Sequence, residues 1–428
     1  MHTIFSHPRR KLVHVMDRIY RGHMTTTSGG NLSLREPNGD IWITPAGVDK
    51  GTLSESDIVL VRADGRVEGR HRPSSELPFH RAIYQRRPDL FGIVHAHPPS
   101  LVAFSIVRQI PDTRILPQAR AWCGKTGYAP FRLPGSEALG ESIAEAFARG
   151  HHGIIMENHG VVVGGPDLMD AFYRFETLEF TSRTLINSKR LGEPRYLTVS
   201  DIDRFEARSG QAMEAMDEAV HPADELDLRQ QMADLVERAC RQQLMISTYG
   251  TLSARWRGND FLITPTMKDR ALLGPEDMVQ IRDGRHEAGK VPSRAAPLHQ
   301  RIYQALPKVH SILITQPPHL AAFCVAHTAL DTRTIPESYV VLRDIPLLPF
   351  GAQLDRGDGL LASLSEEQPL ALVANDAVVV TAGSLLEAFD RLEVAEFSAR
   401  SLIMSRALGE LVPIGAEALE DLRAKYFS

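Results

Sequence analysis

A chain of 428 residues carries 48 lysines and arginines against 53 aspartates and glutamates, a formal net charge of -5. That balance offers no broad cationic surface, which argues against nucleic acid or an anionic membrane as partner and for a small molecule or another protein. The length suits two domains, and no run of about 18 apolar residues is present to span a membrane; three cysteines without CxxC spacing, and an N-terminus without the apolar stretch of a signal peptide, point to a cytoplasmic location.

In chain order, the opening RRKLVHVMDRIY (9–20) has helical spacing and is followed by the glycine-rich TSGGNLSLR (27–35). DIWIT (40–44), DIVLVRADG (57–65) and FGIVHAH (91–97) read as strands, while SELPFHRAIYQR (75–86), SEALGESIAEAFARG (136–150) and the long segment from Asp167 to Arg190 read as helices. Hairpin-like runs near DIWIT and DIVLV argue against a purely parallel sheet, so the expected class is α/β with a mixed sheet.

The chain then starts again. GGNLSLR (29–35) returns as YGTLSAR (249–255), PSSELPFHRAIY (73–84) as PSRAAPLHQRIY (292–303), and the helical segment from Ala171 as that from Ala388, at a period of about 217 to 220 residues. Such a period is a domain rather than a solenoid unit. The seam lies in the polar EAMDEAVHPADE (214–225), so we expect domains at 1–219 and 220–428.

The second copy is a control on the first. His95 and His97 stand two apart at the end of a strand, so both imidazoles reach one side, and His159 in MENHG sits in a turn between two apolar strands. Three histidines with one position open for water or substrate is the pattern of a catalytic metal site. All three vanish together in the second copy, to Ile314, Gln316 and Asp376, whereas Phe172/Phe389, Phe180/Phe397 and Leu185/Leu402 persist and are expected in the core. Glu76 is lost with them, to Ala295, which makes it the candidate acid/base; Ser74 or Ser75 is expected to cap the helix, placing Glu76 in its first turn. His80 has a counterpart in His299 and reads as structural. TSGGNLSLR, Pro45–Gly47 and Ser74–Ser75 supply glycines, hydroxyls, an amide and a helix start that can cradle an anion. They too are altered, Asn31 to Thr251, Gly47 to Met267 and Ser75 to Arg294.

The motifs GGNLS, ITPAG, PSSE, HAH and NHG, in this order and spacing, resemble the class II aldolase/adducin family over residues of about 10 to 195, with a scaffold lacking the motifs over about 230 to 410. The resemblance implies two tandem three-layer α/β/α domains with a mixed, largely antiparallel central sheet. It implies a zinc, or another divalent ion such as manganese or cobalt, on His95, His97 and His159, with Glu76 as acid/base and an anion pocket at Ser28, Asn31, Gly47, Ser74 and Ser75. It further implies a homo-oligomer, a dimer forming a four-domain ring or larger. Two positions depart from the pattern of the sugar-phosphate aldolases: Ala46 replaces a threonine, and the tyrosine expected after the HxH segment falls near Ile115.

The function so implied is a lyase cleaving the carbon–carbon bond of a phosphorylated keto-sugar or keto-acid through a metal-stabilised enediolate. The same site would decarboxylate a 3-oxo sugar acid or its phosphate. A non-catalytic adducin-like scaffold is the rival, but it has no need of three histidines and a glutamate kept intact in one copy.

Overall fold

The computed structural model describes residues 7–207, 213–216, 221–354 and 356–427. The boundary expected at 219/220 therefore falls outside the described residues. The chain divides into two compact units, Met1–Thr113 with Gln118–Arg183, and Arg114–Pro117 with Thr184–Ser428.

The first unit is built on strands β1 (Asn31–Arg35), β2 (Ile41–Ile43), β3 (Val59–Val61), β4 (Val67–Glu68), β5 (Gly92–Ala96), β6 (Gly127–Ala129), β7 (Gly153–Met156) and β8 (Gly160–Gly165). They form one sheet in the order β4-β3-β2-β1-β5-β8-β7-β6, antiparallel throughout except for the β6–β7 pair. The helices are α1 (Pro8–Arg21), α2 (Leu77–Arg86), α3 (Pro99–Ile106), α4 (Pro117–Cys123), α5 (Glu137–Ala148) and α6 (Leu168–Ser188).

Strand alternation makes the layers. Val94, Val161 and Val163 face a cluster containing Leu12, Met16 and Ile19 of α1 and Phe172 and Phe175 of α6. Ile93, Ile154 and Val162 face the opposite way, into Phe79 and Ile83 of α2 and Ile143 and Phe147 of α5. A sheet apolar on both faces needs helices on both, which is the α/β/α arrangement the resemblance implied.

The second unit repeats this topology with β9 (Thr251–Arg257), β10 (Asp260–Ile263), β11 (Val279–Arg282), β12 (Arg285–His286), β13 (Ser311–Thr315), β14 (Leu347–Leu348), β15 (Leu370–Val373) and β16 (Val378–Ala382), in the order β12-β11-β10-β9-β13-β16-β15-β14. Its registers are equivalent, with Thr251 opposite Ile314 where the first unit has Asn31 opposite His95. Phe172, Phe389, Leu185 and Leu402 are buried as expected, and Phe180 is 6% exposed. Phe397 corrects that expectation: it is 62% exposed, on the outer face of the helix Leu385–Ser405. Among the described residues no helix is long and apolar enough to cross a membrane.

Candidate metal centre and acid/base site

The register of β1 against β5 sets the site. Asn31 pairs with His95 and Ser33 with Ile93, so these side chains leave the sheet on the side covered by α2. There α2 presents His80 and Tyr84, and the residue immediately before it is Glu76. His97 lies two residues beyond His95, just past the end of β5, and the turn between β7 and β8 brings His159 to the same place.

The nitrogens of His95, His97 and His159 lie within 4.8 Å of one another, the one such cluster among the described residues. His95 is fully buried and its Nδ1–H donates to the carbonyl of Val161 at 2.9 Å, which turns Nε2 toward His97 and Glu76. That Nε2 faces Glu76 Oε2 at 3.2 Å and His97 Nε2 at 3.1 Å, while His159 Nε2 lies 3.5 Å from Glu76 Oε1. Burial, followed by the neighbouring imidazole of His95, lowers His97 to about 3 and His159 to about 4, so both are neutral near pH 7. Imidazole nitrogens and a carboxylate thus converge on one place, and Glu76 Oε1 is buried without a hydrogen bond. A divalent cation is the group this donor set fits.

Glu76 is held through a relay. Asn31 Nδ2 donates to Glu76 Oε2 at 2.7 Å, and the amide is oriented from its other end, where Oδ1 accepts from His80 Nε2 at 2.6 Å. Burial lowers His80 to about 3, so it is neutral; its Nδ1 accepts from Ser33 Oγ at 2.6 Å, which in turn accepts from the Tyr84 hydroxyl at 2.8 Å. For Glu76 burial is the largest influence and opposes ionisation. His95 and the hydrogen bonds from His95 and Asn31 outweigh it and hold the carboxyl below its ordinary range. Glu76 is therefore a resting carboxylate.

The anion-pocket candidates divide. The backbone N–H of Lys50 donates to Thr27 O, its ammonium donates to Pro45 O and Val48 O, and Pro45 bridges to Pro73, so the loops carrying Ser28, Gly47 and Ser74–Ser75 are tied together. Ser28 and Ser75 are exposed, and Gly47 has a φ of +67° with open space beside it. Asn31 also serves the Glu76–His80 relay, through one Nδ2 proton and its Oδ1. The capping expectation is corrected: Glu76 is itself the N-cap of α2, without a side-chain cap bond, and Ser74 Oγ accepts from the backbone N–H of Glu76 at 3.3 Å.

Two glycines belong to the site for steric reasons that the sequence reading attached elsewhere or only in part. A Cβ on Gly29 would stand 2.9 Å from His97 Nδ1, and one on Gly160 would stand 2.7 Å from both the Ala96 carbonyl and the His97 ring. Their counterparts are Tyr249 and Ala377, a substitution signal that was available in the sequence for both. Ile115, where the resemblance expects a tyrosine, is fully buried, and its carbonyl accepts from Asn375 Nδ2.

The second unit keeps the scaffold and not the site. Ser253 Oγ bonds His299 Nδ1 at 2.7 Å and Tyr303 OH at 2.6 Å, as Ser33 does with His80 and Tyr84, but His299 Nε2 is buried with no partner because Thr251 stands in place of Asn31. Asp376, in the position of His159, accepts from the side chain of Gln353.

The sequence matches the family described as Class II Aldolase and Adducin N-terminal domain twice, over residues 10–186 and 230–403. It is 33% identical over 193 residues to a 3-oxo-tetronate 4-phosphate decarboxylase of Haemophilus influenzae, covering 44% of this chain and 91% of the relative. It is 35% identical over 182 residues to an L-fuculose phosphate aldolase of Methanocaldococcus jannaschii, covering 42% of this chain and 96% of the relative. A solved L-fuculose 1-phosphate aldolase shares 30% identity at a TM-score of 0.43, covering 46% of this chain and 93% of that one.

Proposed function

The chain belongs to the class II aldolase and adducin family and is a lyase of that type, and we propose that its first unit is a zinc-dependent carbon–carbon lyase for a phosphorylated keto-sugar or keto-acid, with Glu76 as acid/base. The observation that carries this reading is the convergence of three imidazoles on an ionised, hydrogen-bonded Glu76 in one unit, against Ile314, Gln316, Asp376 and Ala295 in the other. A divalent ion on His95, His97 and His159 would supply Lewis-acid stabilisation of the negative charge that develops on a ketone oxygen as the adjacent carbon–carbon bond breaks. The tied loops bearing Ser28, Gly47, Ser74 and Ser75 bind the phosphate and fix the substrate's register. Asn31 and His80 aim the Glu76 carboxylate, which takes up a proton and returns it to the carbon that keeps the electron pair.

Decarboxylation of a 3-oxo acid is a second reading with its own support. Cleavage of an aldol must remove a proton from the substrate hydroxyl that becomes the aldehyde, whereas loss of carbon dioxide needs no such base. The buried Ile115 offers none where a tyrosine was expected. The zinc-loaded full chain is to be incubated with 3-oxo-tetronate 4-phosphate, reading carbon dioxide, and with L-fuculose phosphate, reading aldehyde. Turnover of either, lost by about 10²-fold or more in Glu76→Gln with metal retained, supports the proposal. Turnover of neither overturns it. A cytoplasmic homo-oligomer, as a dimer or larger, is part of the same proposal, supported by the exposed Phe397, Met404 and Leu408 along and just beyond the Leu385–Ser405 helix.

A further inference from the structure

The degenerate copy has lost a second set of residues, and these lie together in the first unit. Arg108, Tyr128, Arg132 and Glu157 correspond to His327, Leu347, Gly351 and Ala374. Glu157 gathers the set. Its Oε1 pairs with Arg108 Nε at 2.8 Å, its Oε2 accepts from the backbone N–H of Phe131 at 3.0 Å, and the Tyr128 hydroxyl bonds it as well.

These contacts string the loop 130–136 beside the metal ligands. One end is fastened to Glu157, two residues before His159. The other end passes Ser75, the residue before Glu76, so closely that a Cβ on Gly135 would lie 3.2 Å from the Ser75 carbonyl. The second unit shows that this loop borders the same place there: Gln353, at the position of Pro134, bonds Asp376, the residue in the position of His159.

Arg132 sits on that loop with its side chain exposed. The hydrogen bond it makes within the chain is from Nη1 to the carbonyl of Phe131, and among the described residues no carboxylate pairs with it at salt-bridge distance, Glu157 being engaged by Arg108 and Phe131. A guanidinium with free donors, on a loop that runs from Glu157 to Ser75 and felt by Glu157 without pairing with it, matches a planar carboxylate, which it can grip through two parallel N–H bonds.

We propose that Arg132 is a specificity-determining residue that binds the carboxylate of a 3-oxo acid phosphate and so selects an acid over a neutral ketose. The assignment rests on the lyase reading of the site given above. It adds to that reading a residue and a reason for the choice between substrates, since a neutral ketose presents nothing for this guanidinium to neutralise.

The test uses two inert probes that differ only at the group in question, erythronate 4-phosphate and erythritol 4-phosphate. Each is titrated calorimetrically into the zinc-loaded full chain. Wild type is expected to bind the carboxylate probe at least about tenfold more tightly, the size of one charge-assisted pair. Arg132→Gln should abolish that preference while leaving erythritol 4-phosphate binding and the melting temperature unchanged, and Arg132→Lys should keep part of it. A preference that survives Arg132→Gln overturns the assignment alone, as does an equal loss for both probes, which would make Arg132 a phosphate ligand. Binding of neither probe to wild type overturns the lyase reading and this assignment together.

Discussion

His97→Gln is the sharpest perturbation because the chain already contains its result: Gln316 occupies the equivalent position in a folded unit of the same topology. The three histidine nitrogens lie within 4.8 Å of one another, and the second unit presents Ile314, Gln316 and Asp376 instead, so wild type should hold about one zinc per chain and not two. An apparent zinc affinity of about 10–16 kcal/mol shared over three protein ligands and a water is about 3–4 kcal/mol per ligand, so losing one imidazole should weaken binding about 10²–10³-fold. The assay is dialysis against buffered zinc followed by elemental analysis, with a competition titration for affinity and a thermal melt as control for folding. Two ions per chain, or a His97→Gln chain within about threefold of wild-type affinity, would refute the reasoning.

Asn31→Thr, which copies Thr251, removes the 2.7 Å bond to Glu76 and leaves His80 Nε2 buried without a partner, as His299 Nε2 is. We expect a stability loss of about 2–4 kcal/mol in urea denaturation with the fold retained, and a loss under about 0.5 kcal/mol would show that the relay holds nothing. Burial lowers His80, His97 and His299 to about 3 and, with His95, His159 to about 4, all beneath the ordinary histidine value. The unfolded chain therefore binds more protons than the folded one between about pH 6.5 and about pH 4, and stability is complete above that window and drains away as pH falls through it. The urea midpoint of the metal-free chain, followed from about pH 7 to about pH 5, should drop, and a flat or rising midpoint contradicts the burial of these imidazoles. Thr251→Asn restores an acceptor to His299 Nε2 at the expense of the Thr251–Ser293 hydroxyl bond of 3.0 Å, and should raise the unfolding free energy in urea by about 0.5–2 kcal/mol; a fall would mean that the orphaned nitrogen is not costly.

His95, His97, His159 and Glu76 were legible in the sequence because a duplicated chain carries its own comparison, and the structure brings these four together. What stayed illegible depends on which strand lies beside which. Nothing local in GGNLS says that Asn31 will stand opposite His95, and that register is what makes its amide the brace of Glu76. Ser74 and Ser75 looked like helix caps because serine is common there, yet the helix begins one residue later and Glu76 takes the cap position. Phe397 misled for a different reason. Persistence between copies marks a residue that packs against something, and in this unit Phe397 packs against nothing in its own core.

The two copies sort interactions by what removes them. Arg18 with Glu176 and Phe172 recurs as Arg238 with Glu393 and Phe389, and Glu179, which caps α3 through Leu101 N–H, recurs as Glu396 on Leu320 N–H. Lys50, whose ammonium closes the 45–48 loop, recurs as Arg270 on Gly250 O and Lys268 O. Most of these hold a buried or partly buried charge or a helix end, whose loss is a penalty of folding that does not depend on catalysis. Asn31, Glu76 and the histidines are the set that differs, and imidazoles gathered around a buried carboxylate are costly to a fold that holds no cation among them. His299 stands at the border of the two classes: its Nδ1 is still satisfied by Ser253 while its Nε2 points at an acceptor that is gone. The bonds of His299 to Ser253 and of Ser253 to Tyr303 are thus what the second unit keeps of the relay that holds Glu76 in the first, and the unpartnered Nε2 marks the place where Asn31 would complete it.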